Sequence, residues 1–265
     1  MLDGLVSASV TLIAGAPADL AARIGLAMTF LQLGIGTVND VVDAPRDAGR
    51  KVGKPIPAGL VTARAAMNAA VALFGAGLLL ALSVSSLIAA LAVVVIAIGL
   101  VYDLRLKGTA WSWLPFAVGI PILPVFGWLG ATGELAPAFA FLLPAAVAAG
   151  AGLAIGNALV DVDRDRAAGT SSIAAALGPT RSAWVATTLF GAVWIAAVAT
   201  ALTAGRAIVP VMGLAVAGFV PVAAGWVSVT ASSGRRERLW QLEAISLAGL
   251  AAIWVGVMVG NPAWR

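Results

Sequence analysis

Eight apolar runs, each close to twenty residues long, recur along the chain near residues 20–38, 61–82, 86–102, 111–130, 137–158, 182–203, 207–230 and 239–260. A helix needs roughly 20 such residues to cross the hydrocarbon core of a bilayer. A ninth run at 5–16 has only twelve residues. The expected fold is therefore all-α: one transmembrane helical bundle over residues 1–265, with about nine helices, or eight if the short first one does not span. Charged residues make up only 11% of the chain against 61% hydrophobic ones, where soluble domains carry roughly 25% charge.

The residue types that are missing narrow the chemistry. There is no cysteine and no histidine, which removes thiolate nucleophiles, disulfides, the usual haem ligand and the Cys- and His-containing zinc sites. Carboxylates, amides, lysine, arginine, hydroxyls and a hard metal ion are left. The net charge of +4 and pI near 10.3 fit a membrane surface, with no nucleic acid expected, because of where the cations fall. No cleavable signal is expected, since Asp3 rather than a basic segment precedes the first apolar run. Thirteen of the sixteen Lys and Arg residues lie after the second, fourth, sixth and eighth helices of a nine-helix count that includes the short first one, leaving Arg23, Arg206 and Arg265 for the other side. The positive-inside rule assigns the cation-rich side to the cytoplasm, as expected for a multi-pass protein of the cell inner membrane. Arg235, Arg236 and Arg238 have no acidic cluster in their own loop and read as topological determinants. Trp111 and Trp113 read as interfacial belt residues.

Two acidic segments repeat. Residues 39–47 read Asn-Asp-Val-Val-Asp-Ala-Pro-Arg-Asp, and residues 157–165 read Asn-Ala-Leu-Val-Asp-Val-Asp-Arg-Asp. Asn39, Asp43, Arg46 and Asp47 align with Asn157, Asp161, Arg164 and Asp165 at one constant offset of 118 residues. A spacing of four places successive members on one helical face. Pro45 is expected to end or bend its helix shortly after Asp43, making Asp47 a loop residue. Four helices separate the motifs, so both should emerge on one membrane side and can face one another. Clustered acids near a membrane are costly and usually functional. Magnesium answers that cost, because it prefers oxygen ligands and bridges one or two carboxylates to substrate phosphates. Asn39, Asp40, Asp43, Asp47, Asn157, Asp161 and Asp165 are the candidate ligands, with Asp163 a further acid that the first motif does not match.

In this order and at these separations, four segments resemble the UbiA superfamily of intramembrane prenyltransferases: 39–47; Gly-Lys-Pro-Ile-Pro-Ala-Gly-Leu-Val-Thr at 53–62; Tyr-Asp-Leu-Arg-Leu-Lys-Gly-Thr at 102–109; and 157–170 with its trailing Ala-Leu-Gly at 176–178. Lys54 stands where that family commonly has Arg, Asp103 where Ser is frequent, and Thr170 where Lys is frequent. The Asn157 form of the second motif looks more like the menaquinone, chlorophyll and archaeal ether-lipid branches than the 4-hydroxybenzoate branch.

The resemblance implies helices around a central cavity, with an isoprenyl diphosphate held by its head between the motifs and its tail among the helices. Magnesium held by the motifs would neutralise the leaving diphosphate. Lys51, Lys54, Lys107 and Arg166 would add charge-assisted hydrogen bonds. Tyr102, the only tyrosine, would stabilise the allyl cation or hydrogen-bond the diphosphate, or else serve as an interfacial anchor. A small, aromatic or lipid-like prenyl acceptor then traps the cation. The alternatives are a UbiA-type terpene cyclase, in which the chain's own double bond does so, and a membrane transporter using the acids as a cation site. Transport sites lie near the bilayer midplane, whereas these acids lie at helix ends.

Overall fold

The computed structural model describes residues 2–49, 53–167 and 169–259. Eleven α-helices and no strand are present among these residues: α1 (Leu2–Ile13), α2 (Ala18–Asp47), α3 (Ala63–Leu82), α4 (Ser86–Val101), α5 (Leu114–Thr132), α6 (Phe139–Val160), α7 (Val162–Ala167), α8 (Ile173–Leu177), α9 (Pro179–Thr203), α10 (Ile208–Ser228) and α11 (Ser233–Val259). A π-helical turn, Tyr102–Leu106, continues α4. Eight helices among the described residues are long and apolar enough to cross a membrane, with the π-turn counted into the fourth helix of the chain. The short α1 has the twelve residues expected of it, shifted toward the N-terminus.

Helix starts follow local chemistry. Thr62 caps α3 by accepting from the Ala65 N–H at 3.1 Å, and Ser85 caps α4 by accepting from the Ile88 N–H at 3.2 Å, each satisfying an amide that the first turn leaves unpaired. Gly178 separates α8 from α9 at φ 85°, a backbone region that side chains with a Cβ disfavour.

The chain forms two compact units, Met1–Arg105 with Ile122–Glu134, and Leu106–Pro121 with Leu135–Arg265. In the first, α2 packs on α1, α3 and α4 around the fully buried Ile24, Met28, Leu31, Ile88 and Phe126. Small residues set the spacing, as expected where lipid supplies no hydrophobic drive between helices. A Cβ on Gly127 of α5 would lie 2.4 Å from the Ser7 carbonyl oxygen of α1. Across that close approach Ser7 donates to the Leu123 carbonyl at 3.2 Å and Thr11 to the Gly127 carbonyl at 3.1 Å. In the second unit, α6 packs on α9 and α11, and α10 on α9 and α11, around Phe190, Leu214, Leu250 and Met258.

Gly150 of α6 gives the second unit a similar close approach: a Cβ there would sit 2.3 Å from the Phe116 carbonyl oxygen of α5. Backbone cannot yield as a flexible side chain can. Gly150→Ala will therefore cost about 1–3 kcal/mol by overpacking, seen as a lower thermal unfolding midpoint in detergent. Gly191→Ala on α9, where nothing lies within 4 Å of the added carbon, will leave the midpoint unchanged or raise it. Equal loss in both variants would sink this account of the α5–α6 contact.

Candidate functional site

The first motif rides on the C-terminal end of α2. This corrects the expectation for Pro45: the helix runs through it to Asp47, and Asp47 is not a loop residue. A proline removes a single backbone donor, and so close to the helix end little hydrogen bonding is left to lose. Asp40, Asp43 and Asp47, spaced three and four apart, consequently share one helical face. Asp43 and Asp47 are buried, while Asn39 and Asp40 are half-buried.

Lys54 donates to Asp40 in a short ion pair. This hydrogen bond holds the Lys54 ammonium above the ordinary lysine range, helped by the charges of Asp40, Asp47 and Asp43 and opposed by desolvation. A group whose folded pKa is raised keeps its full stabilising effect below its unfolded value, so Lys54 stays charged at any pH near neutral. The Pro-Ile-Pro segment behind it closes into a turn in which the Ala58 N–H donates to the Lys54 carbonyl at 3.1 Å. Lys51 falls outside the described residues.

Asn39 donates its amide to Asp103 at 2.6 Å, which leaves its side-chain oxygen as the atom it can offer a cation. Asp103 is buried and lies in the π-turn beside the half-buried Tyr102. It belongs to the first cluster, although the sequence pattern put it forward only as a departure from Ser. The sign that could have found it was a lone carboxylate at the end of a membrane span.

The second motif differs in shape. A spacing of four suggested one helical face, but α6 stops at Val160 and Asp161 caps it at φ −98°, ψ 3° before α7 begins. Asn157 therefore lies on α6, Asp161 at the joint and Asp165 on α7, with the Asp165 N–H donating to the Asp161 carbonyl at 2.9 Å. Arg164 forms a short ion pair with Asp161. Asp163, the unmatched acid, meets Arg236 of α11 at 3.5 Å. This overturns the view of Arg236 as a topological charge with no acid nearby, because folding brings Arg236 of α11 to Asp163 from 73 residues further along the chain.

Within the same unit, Lys107 is half-buried, and Gly108 beside it adopts φ 74°. A Cβ on Gly108 would approach the Thr170 methyl to 2.9 Å, so the 107–109 segment lies against the tail of the second motif. Arg166 is exposed on α7, with its guanidinium close to Gly178. Trp111 is exposed and Trp113 half-buried.

Among the described residues no three acidic side chains form a ready metal cage. The donor set still fits magnesium, which takes one or two carboxylates and fills the rest of its octahedron with water and substrate oxygen. Each motif supplies Asp and Asn oxygens alone, and no cysteine or histidine in the chain offers a softer ligand.

A family model, the UbiA prenyltransferase family, matches residues 4–245. No curated protein matches the chain. Among solved structures, an apo UbiA homologue from Aeropyrum pernix K1 is 20% identical, with a TM-score of 0.75 over 98% of this chain and 97% of its own. A structure of digeranylgeranylglyceryl phosphate synthase is 16% identical, with a TM-score of 0.72 over 97% and 92%. A UbiA homologue from Archaeoglobus fulgidus bound to GPP and Mg2+ is 19% identical, with a TM-score of 0.69 over 95% of each chain. At these identities the likeness is one of fold, and it agrees with an all-helical membrane architecture. The family match extends over both acidic motifs, and the chain belongs to the UbiA prenyltransferase family.

Proposed function

We propose that this chain is a magnesium-dependent intramembrane prenyltransferase, which ionises an isoprenyl diphosphate and passes the prenyl group to a small aromatic or lipid-like acceptor. The observation that carries the reading is the duplicated Asn/Asp motif inside the matched family region. Support for the substrate class comes from the Archaeoglobus fulgidus homologue, bound to Mg2+ with GPP in one structure and with DMAPP in another. The cation-rich loops support a reaction at the cytoplasmic side of the cell inner membrane.

Asn39, Asp40, Asp43 and Asp47 of the first motif and Asn157, Asp161 and Asp165 of the second would hold the metal. Bound magnesium supplies neutralisation of the charge that develops on the leaving diphosphate. Lys54, kept protonated by Asp40, would hydrogen-bond a phosphate oxygen as charge builds up there. Lys51, Lys107 and Arg166 add further cationic donors for the diphosphate. Tyr102, at the opening of the π-turn, would stabilise the allyl cation through its ring or hydrogen-bond the diphosphate. Attack by the acceptor forms the new bond, and the acceptor then gives up a proton. No residue of the chain has to become covalently modified.

Mass spectrometry tests the reading. The purified protein is incubated with magnesium and prenyl diphosphates of five to twenty carbons, together with a hydroxylated benzoate, a hydroxylated naphthoate or a glycerol ether phosphate. A prenylated acceptor with stoichiometric diphosphate is the expected product. Cyclic hydrocarbon formed without any acceptor would replace this reading with the terpene cyclase. Failure to consume any prenyl diphosphate would overturn both enzymatic readings and leave the transporter.

A further inference from the structure

Glu243 is the one acidic residue deep in a membrane span and outside both motifs and the Asp103 turn. It lies on α11 and is 3% exposed. Among the described residues its carboxylate has no hydrogen-bond donor or cation. A charge so placed is expensive, and in membrane proteins such a residue usually serves function.

Its position on α11 is specific. Arg236, Trp240 and Glu243 are spaced four and three apart, so they share one face of the helix. All three point at the second motif and the helix that leads into it. Arg236 meets Asp163 at 3.5 Å, and the Trp240 indole N–H donates to the Leu153 carbonyl of α6 at 2.9 Å. A Cβ on Gly156 would lie 3.1 Å from the Glu243 carboxylate and 3.2 Å from the Trp240 ring. Gly156 is what lets the carboxylate reach the α6 backbone, next to Asn157. Gly156 directly precedes Asn157 and lies five residues, about 7.5 Å at 1.5 Å per residue, before Asp161.

The helices packed on α11 bring little charge to that point. α6 and α10 have no charged residue, and α9 has only Arg181 in its first turn. On α11 itself Arg235, Arg236, Glu237 and Arg238 all lie in the first two turns. Asp161, Asp163 and Asp165 stand at the α6–α7 joint, where Asp161 pairs with Arg164 and Asp163 with Arg236.

We propose that Glu243 is the acceptor-side residue of the active site, which takes the proton that the acceptor loses. The role presupposes prenyl transfer. In that reaction the C–O bond to the diphosphate breaks with both electrons going to oxygen, and the acceptor carbon or oxygen forms the new bond to the prenyl carbon. The C–H or O–H proton of the acceptor then passes to the Glu243 carboxylate and from there to water. With neither histidine nor cysteine in the chain, this carboxylate, set against Gly156 and beside Asn157 of the second motif, is the group on this face of α11 that can take up a proton.

Two rates, measured on the same purified protein in lipid nanodiscs with geranyl diphosphate, magnesium and the three acceptor probes, separate this role from the reaction as a whole. One is total diphosphate released, and the other is prenylated acceptor formed. Glu243→Gln keeps the volume and removes the charge, so folding should survive. Its expected effect is a loss of transfer by about 10²-fold or more, the usual scale for an acid–base group. Diphosphate release should stay within about threefold of wild type, with the cation captured by water. Glu243→Asp should recover part of the transfer, and Gly156→Ala, which pushes the carboxylate away, should lose transfer while keeping release. Transfer at wild-type rate in Glu243→Gln would overturn the role, as would equal loss of transfer and release. Wild-type protein that releases diphosphate but prenylates none of the probes would overturn it too. Absence of any diphosphate release from wild type would instead overturn the transferase reading itself.

Discussion

Asp43→Ala and Asp161→Ala will each lower prenyl transfer by about 10²-fold or more, the scale on which removal of one electrostatic stabiliser of a transition state is felt. Asp43 is buried on α2, and Asp161 caps α6 where the backbone turns into α7. The two positions come from opposite halves of the repeat, and in the proposed reaction they serve one diphosphate. Their losses should therefore be non-additive: the double variant will be scarcely slower than the worse single one, as for residues that act as a unit. Asp163→Ala is the control, because that acid is exposed and has no counterpart in the first motif. It should keep most of the activity. Asp43→Asn and Asp161→Asn repeat the test with the side-chain volume preserved, and circular dichroism with size exclusion reports whether each variant stays folded. A wild-type rate in either alanine variant, or strictly multiplicative losses in the double one, would refute a shared substrate.

The parts of this protein that follow from one-dimensional patterns were legible in advance, and the parts that depend on tertiary contact were not. Eight spanning helices follow from run length alone, since lipid imposes its thickness on the sequence. The two acidic motifs follow from their repetition. The shape of each motif did not. Pro45 argued for a break in the first motif and the regular spacing argued for continuity in the second, and the structure has the reverse: α2 is continuous through Pro45 and the α6–α7 joint falls at Asp161. Local propensity is a weak prior that packing overrides. Asp103 was missed because its link to Asn39 joins residues 64 positions apart. Arg236 was assigned to topology because its partner Asp163 is remote in sequence, and Glu243 drew no notice because a single acid in an apolar run has no pattern to give it away. Only α11 folded against α6 reveals what it faces.

Removal of divalent metal will abolish transfer, and magnesium or manganese will restore it. The cationic side chains do not suffice. Lys54 is already engaged by Asp40, and Arg164 by Asp161, so much of the local positive charge serves to offset the protein's own acids. A prenyl diphosphate adds several negative charges to the same region, and ionisation concentrates another on the leaving group. Neutralisation by a hard dication bound to Asp and Asn oxygens removes that barrier. Turnover in excess chelator is expected to fall below about 1% of the starting rate, in keeping with a contribution of several kcal/mol from the metal. Binding can be followed separately, because free manganese gives an electron paramagnetic resonance signal that is lost when the ion is bound. Wild-type protein with prenyl diphosphate should quench this signal, and Asp43→Ala and Asp161→Ala should quench it less. Undiminished turnover in chelator, with elemental analysis showing no metal on the protein, would leave the acidic motifs without their proposed chemistry and the ionisation to the lysines and arginines alone.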